Sequence, residues 1–135
     1  MTAAFADSYF YLALLNPRDA GHQTANSVAD GFDGTIVTTQ WVLVEVADAF
    51  ANPRHRPLFD RLLSTLSTDP NVTVVPADAA LFDRGVELFR TRPDKDWPLT
   101  DCISFLVMQD RNIRDALTAD THFEQAGFNR LFSDE

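Results

Sequence analysis

Short apolar runs alternate with segments of helical periodicity along the whole chain. Each run consists mainly of small, aromatic or β-branched residues and ends near a polar residue or a proline, as expected of a buried strand. The predicted strands cover 3–6, 35–38, 71–75 and 116–118, with a last edge strand at 128–132. The predicted helices cover 9–14, 21–30, 41–50, 58–66, 77–89, 99–108 and 121–126. This alternation, without repeats or a long linker, predicts one α/β domain over residues 1–135 with a mostly parallel sheet.

The helix after Pro98 is apolar around nearly its whole circumference, which is typical of a buried helix. The apolar residues that produce this pattern are Cys102, Ile103, Phe105, Leu106 and Val107. Thr100 is predicted to cap the free backbone N–H groups at the start of the helix. Asp101 lies in the first turn, where the helix N-terminus stabilises a carboxylate by only about 0.3–1 kcal/mol. Asp101 is therefore either an exposed cap residue or a carboxylate held in place for chemistry.

The composition of the chain fits a globular domain. Its 135 residues are 45% hydrophobic and include 11 Phe, enough for one sizeable core. No apolar run approaches the roughly 18 residues of a membrane span, and no basic segment precedes the first apolar residues as in a signal peptide. The single cysteine excludes an internal disulfide, so a cytoplasmic location is predicted. His22, His55 and His122 are scattered, and no metal-binding Cys/His cluster is expected.

The net charge of −9 argues at first against a nucleic-acid partner. That argument weakens if carboxylates hold cations. Four acids that bound two divalent ions would change their own contribution from −4 to 0 and would leave the chain at −5. The overall charge therefore does not decide between partners.

Four acidic residues occupy positions that a parallel sheet would bring together. Asp7 ends the first strand, and Asp120 follows the fourth. Asp101 opens the helix before the fourth strand, and Glu45 lies one turn into the helix after the second strand. Ligands of open parallel sheets bind beyond the carboxyl ends of the strands, so these side chains are expected to meet there. A cluster of carboxylates without histidine suits hard divalent cations such as Mg²⁺ or Mn²⁺.

Asp7-Ser8, the helix of Glu45 and two longer segments, 97–105 and 116–128, resemble the PIN-domain family, especially its small VapC-type members. The resemblance covers essentially the whole chain. It implies a sheet of order 3-2-1-4-5 and a metal-dependent ribonuclease with two-metal-type phosphodiester hydrolysis. The family's four acidic residues correspond to Asp7, Glu45, Asp101 and Asp120, and all four are present.

The resemblance also implies partners. Stand-alone members of this kind are typically toxins that form homodimers and are inhibited by a small antitoxin protein. The same domain serves in RNA maturation, so a nuclease outside a toxin–antitoxin system stays an alternative. A non-catalytic PIN-fold binding module is disfavoured because no acidic residue is missing. A phosphoacceptor receiver domain would need a lysine after the last strands, whereas the single lysine, Lys95, precedes Asp101.

Several residues near the four acids have both a functional and an ordinary interpretation. Hydroxyl groups that could hydrogen-bond the carboxylates belong to Ser8, Thr100, Ser104 and Thr118. Ser8 and Thr118 are equally well explained as turn and strand residues. Asp96 is either an accessory ligand or, the favoured interpretation, a solvated loop acid. Asp48 is expected at the surface, and His122 is interpreted as a helix-start residue and not a catalyst.

The segment that contains Arg54, His55 and Arg56, with the nearby Arg61, forms the main basic cluster of the chain. Arg54 and Arg56 are candidates for contacts with an RNA backbone. A solvated loop is the alternative fate of such residues. The RNA target and the cleavage sequence cannot be read from these residues.

Overall fold

The computed structural model describes residues 2–132, in which strands and helices alternate as predicted. In chain order the elements are β1 (Thr2–Ala6), α1 (Ser8–Leu15), α2 (His22–Gly31), β2 (Gly34–Thr39), α3 (Gln40–Ala49), α4 (Arg56–Thr68), β3 (Val72–Val75), α5 (Ala79–Thr91), α6 (Leu99–Asp110), β4 (Asp115–Leu117), α7 (Thr121–Gln125) and β5 (Asn129–Arg130). None of the helices in this part of the chain is long and apolar enough to cross a lipid bilayer.

The five strands form one sheet of order β3-β2-β1-β4-β5, which confirms the order that the family resemblance implied. All pairings between the described strands are parallel, so the sheet is more regular than the mostly parallel sheet predicted. Ala6 pairs with Leu117 at the ends of β1 and β4. Because β1 connects to β2 on one side while β4 lies on the other, the chain changes direction between β1 and β4. A crevice beyond the strand ends is expected at such a point.

The helices divide into two groups that follow the strand order. α1 packs against α2 and α3, and α3 packs against α4. α6 packs against α5 and α7. Right-handed crossovers that run in opposite directions from the centre of a sheet place these two groups on opposite faces. The sheet is therefore covered by helices on both sides, which explains why its central strand β1 is apolar throughout its second half.

Helix α6 forms the centre of one face, as its apolar pattern predicted. Its buried residues are Asp101, Cys102, Ile103, Ser104, Phe105, Val107 and Met108. The ring of Phe105 packs edge-on against Phe123 and Trp97, with centroid distances of 5.0 and 5.1 Å. Gly85 of α5 lies directly against Ile103, so that a methyl group at this glycine would overlap the isoleucine side chain. This close approach fixes the position of α6, which carries Asp101.

The observed start of α6 corrects the predicted cap. Pro98 is the N-cap residue, with an extended backbone (φ −60°, ψ 153°), and its carbonyl accepts the N–H of Cys102 at 3.1 Å. Thr100 lies inside the first turn and does not cap the helix. The prediction failed because proline already adopts the backbone conformation that an N-cap requires, and its carbonyl starts the helical hydrogen bonds two residues earlier. Elsewhere the boundaries shift slightly: α4 begins at Arg56, and β5 spans Asn129–Arg130.

Candidate metal centre

Asp7 lies immediately after β1, at the N-cap position of α1, and its side chain is buried. Its Oδ2 accepts a hydrogen bond from the Thr118 hydroxyl at 3.1 Å. Its Oδ1 is buried and has no hydrogen-bond partner among residues 2–132. The pKa of Asp7 is raised from 3.8 to about 6, mainly by burial and in addition by the charges of Glu45 and Asp120, although hydrogen bonds with the Ser8 backbone and Thr118 oppose this rise. This carboxylate therefore lies in a polar cluster that leaves one buried oxygen without compensation.

Thr118 connects the ends of the two central strands. Its hydroxyl donates to Asp7 after β1 and accepts the backbone N–H of Asp120 after β4, at 3.0 Å. A single hydroxyl can donate one hydrogen bond and accept another, so both interactions are satisfied at once. Thr118 thereby fixes the position of Asp7 relative to the turn that carries Asp120.

Asp101 projects from the first turn of α6 and is 5% exposed, so the interpretation as an exposed cap residue is wrong. Burial raises the pKa of Asp101, and the charges of Asp7 and Asp120 add to this effect. His122 acts in the opposite direction through a contact of 3.1 Å between its Nδ1 and Asp101 Oδ2. The structure therefore places Asp101 beside two of the other predicted acids.

Asp120 and Glu45 complete the predicted group of four. Asp120 is the N-cap residue of α7, and its Oδ1 accepts the backbone N–H of His122 at 2.9 Å. Glu45 is half-buried on α3, a helix whose start is capped by the Thr39 hydroxyl. Its charge contributes to the raised pKa of Asp7, so Glu45 lies within electrostatic range of that carboxylate. Asp7, Asp101 and Asp120 thus come from three separate segments and converge beyond the strand ends, and Glu45 lies near enough for its charge to act on Asp7.

His122 is a site residue that sequence reasoning did not identify. It lies in the first turn of α7, as its interpretation as a helix-start residue required. Its Nδ1, however, is 3.1 Å from Asp101 and 3.2 Å from Asp120, and its Nε2 is 3.8 Å from Asp96. The Asp96 side chain is 94% exposed. The available sequence signal was a histidine two residues after a predicted ligand, which indicates proximity but no direction for the ring.

The four hydroxyl residues proposed beside the carboxylates have different surroundings. Thr118 hydrogen-bonds Asp7, as described above. Ser8 lines the pocket at Asp7 and Asp120. The Ser104 hydroxyl instead donates to the Thr100 carbonyl within α6, at 2.9 Å. Among residues 2–132, Thr118 is therefore the one of the four whose hydroxyl hydrogen-bonds a site carboxylate.

The residues of this crevice fit a divalent cation. One oxygen each of Asp101 and Asp120 and a ring nitrogen of His122 lie within 4.8 Å of one another. The buried, unpartnered Oδ1 of Asp7 adds a further donor of the same kind. Carboxylate oxygens are the ligands that Mg²⁺ and Mn²⁺ prefer. A cation would also offset both the burial and the mutual repulsion of the ionised carboxylates, which together raise the pKa values of Asp7 and Asp101.

The two candidate RNA-contacting arginines lie in different surroundings. Arg54 lines a depression together with His55 and Arg18, and this depression shares Leu12 with the pocket at Asp7 and Asp120. The Nε of Arg56 donates to the Ala51 carbonyl at 2.7 Å. Arg56 lines a separate depression with two acids, Asp48 and Asp60. The depression of Arg54 therefore shares one residue with the acidic pocket, whereas the depression of Arg56 contains two acids.

The fold and the site together define a parallel α/β domain with a carboxylate crevice at the point where the strand order reverses. The PIN domain family model matches residues 4–129. The chain belongs to the PIN-domain family.

Sequence and structure comparisons identify similar proteins. The chain is 32% identical over 126 residues to the 23S rRNA-specific endonuclease VapC20 of Mycobacterium tuberculosis, covering 92% of this chain and 94% of that protein. The crystal structure of VapC20, described as a Sarcin-Ricin loop cleaving toxin, matches with a TM-score of 0.84, 25% identity and coverage of 93% and 96%. VapBC2 from Rickettsia felis, bound to a promoter DNA fragment, matches with a TM-score of 0.66 and 11% identity over 96% and 98% of the chains. The last similarity concerns the fold alone.

Proposed function

We propose that this chain is a metal-dependent endoribonuclease that hydrolyses RNA phosphodiester bonds and acts as the toxin of a type II toxin–antitoxin pair. The observation that carries this proposal is the convergence of Asp7, Asp101 and Asp120 in one crevice, with a buried oxygen of Asp7 left unpartnered. Membership of the PIN-domain family and the similarity to a protein described as an endonuclease and toxin support the same function.

Asp7, Glu45, Asp101 and Asp120 would hold the Mg²⁺ or Mn²⁺ ions. A bound divalent cation supplies a water activated for attack on phosphorus and stabilises the negative charge of the phosphodiester. The chain contributes the arrangement of the ligands. Thr118 orients Asp7 and the turn before Asp120, while the packing of α6 keeps Asp101 away from bulk water. Reduced solvent access strengthens the electrostatic interaction of these carboxylates with a cation.

The substrate is proposed to be RNA, and the description of VapC20 makes the Sarcin-Ricin loop of 23S rRNA the first substrate to test. A chain with a net charge of −9 needs local positive charge to bind it. We infer a path for the RNA backbone from the acidic crevice across Leu12 to Arg18, Arg54 and His55. Arg18 was absent from the predicted set because it follows α1, far in sequence from Arg54. Arg56 is not assigned to this path.

The proposed partners are RNA, a small antitoxin and a second copy of the chain. The antitoxin and the homodimer follow from the family resemblance, and the description of VapC20 as a toxin supports the former. An RNA-maturation nuclease outside a toxin–antitoxin system is the alternative. An adjacent reading frame for a small DNA-binding protein, together with growth arrest that depends on Asp7, would favour the toxin.

The function is tested with purified protein and two RNA hairpins, the Sarcin-Ricin loop and an unrelated stem-loop of equal length. We expect a discrete cleavage product in Mn²⁺ or Mg²⁺ and none in chelator. The Asp7→Asn variant, which keeps the side-chain shape, is expected to be inactive. A folded Asp7→Asn protein with full activity would refute the ligand assignment. Binding of RNA without cleavage under all metal conditions would support the non-catalytic binding module instead.

A further inference from the structure

His122 contacts two of the four acids through two different N–H groups. Its backbone N–H donates to Asp120 Oδ1 at 2.9 Å. Its ring Nδ1 lies 3.1 Å from Asp101 Oδ2 and 3.2 Å from the same Asp120 oxygen. When both carboxylates are ionised, as binding of a cation requires, they can only accept hydrogen bonds, and the proton of this contact then belongs to Nδ1. One residue of α7 thereby connects Asp101 of α6 to Asp120 of the β4–α7 turn.

The segment that carries His122 is itself fixed on both sides. The indole N–H of Trp97 donates to Gln125 Oε1 at 2.9 Å, which joins α7 to the loop before α6. The Arg130 guanidinium donates to the carbonyl of Ala119 at 2.6 Å, next to Asp120. Phe123, the residue after His122, is completely buried. The imidazole therefore projects from a well-supported turn and is itself 23% exposed.

The contact with His122 leaves a defined part of each carboxylate available. His122 contacts Oδ2 of Asp101 and Oδ1 of Asp120. The other oxygen of each carboxylate is therefore not used by His122 and could bind a cation. Without a donor between them, two ionised carboxylates from separate elements would repel and rotate apart. Residues that hydrogen-bond metal ligands in this way typically change metal affinity about 10- to 100-fold when they are removed.

We propose that His122 is a positioning residue, which holds the carboxylates of Asp101 and Asp120 in the orientation that binds a divalent cation. This role rests on the proposed metal-dependent function. It differs from direct ligation of the cation by Nδ1, which the same proximity would allow. Asparagine at this position keeps an N–H donor, but its amide oxygen can itself bind Mn²⁺. Nitrogen coupling in the spectra of bound Mn²⁺ therefore separates the two roles, and the asparagine variant tests the need for a donor.

The experiment measures Mn²⁺ affinity of the RNA-free protein by electron paramagnetic resonance, in wild type, His122→Ala and His122→Asn. Thr121→Ala, an exposed neighbour on α7, is the control for general effects on the helix. We expect His122→Ala to weaken Mn²⁺ binding by about 10-fold or more. We expect His122→Asn and Thr121→Ala to remain within about threefold of wild type. Pulsed spectra of bound Mn²⁺ should lack the nitrogen coupling of a directly bound imidazole.

The opposite results overturn the proposal. Nitrogen coupling in wild type would make His122 a ligand, and equal losses in His122→Ala and His122→Asn would show that an N–H donor at this position does not maintain affinity. Unchanged or tighter binding in His122→Ala would leave it without a positioning role. If His122→Ala does not fold, His122→Gln takes its place, because its donor lies one bond farther out and should also weaken binding. A folded wild type that binds no Mn²⁺ would refute the metal-dependent function itself, which distinguishes that failure from the failure of this role.

Discussion

Replacing Asp7 by asparagine should make the metal-free protein more stable at neutral pH. Asp7 is 3% exposed, and burial together with the charges of Glu45 and Asp120 raises its pKa from 3.8 to about 6. At 1.36 kcal/mol per pH unit, this difference corresponds to about 3 kcal/mol of destabilisation by the ionised group. Asparagine removes the charge but introduces an amide N–H₂ that needs partners, so we expect a gain of about 1–3 kcal/mol.

The sign of the effect gives it a characteristic pH dependence. Because the folded state binds this proton more tightly than the unfolded state, wild type loses stability as the pH rises from about 4 to 6. The stability of Asp7→Asn should not fall in this way over the same pH range. The two proteins should therefore be about equally stable near pH 4, and the variant should be more stable above pH 6.

The assay is thermal unfolding in chelator between pH 4 and 8, followed by circular dichroism. A gain of 1–3 kcal/mol corresponds to an increase in Tm of very roughly 3–12 °C for a domain of this size. Asp48→Asn, an exposed acid on α3, is the matched control and should change stability by less than about 0.5 kcal/mol. Saturating Mn²⁺ should reverse the order by stabilising only wild type. A variant no more stable than wild type at pH 7.5, or a gain independent of pH, would refute this reasoning.

Three further predictions concern the metal, the RNA path and the core. Mg²⁺ or Mn²⁺ at several millimolar should raise the Tm of wild type but not that of Asp101→Asn; an equal shift in both would exclude Asp101 as a ligand. RNA binding is titrated with salt in the cleavage-inactive Asp7→Asn background. Arg54→Ala should weaken RNA affinity and reduce the slope of log affinity against log salt concentration by about one, whereas Arg56→Ala should change neither. Identical slopes with and without Arg54→Ala would remove Arg54 from the path. Gly85→Ala should lower the free energy of unfolding in denaturant by about 1–3 kcal/mol, because the added methyl group overlaps Ile103. A Gly85→Ala protein as stable as wild type would contradict that packing.

Local patterns in the sequence were sufficient for the elements and for the position of the acids along them. Helix α6 could be predicted as buried because its apolar residues cover nearly its whole circumference and leave no polar face. Asp7 and Asp120 could be placed after strands because an apolar run stops before each of them. The strand order came from the family resemblance, since periodicity contains no information about which strands are neighbours.

The tertiary structure decided which side chains touch. Thr118 and Asp7 are 111 residues apart in the chain, and His122 and Asp101 are 21 apart, yet each pair is within hydrogen-bonding distance. Arg54 and Arg56 carry the same charge and are separated in the sequence only by His55, but they line different depressions. A sequence pattern specifies which face of an element is buried, whereas the direction of a polar side chain depends on neighbours that only the folded sheet and its helices bring together.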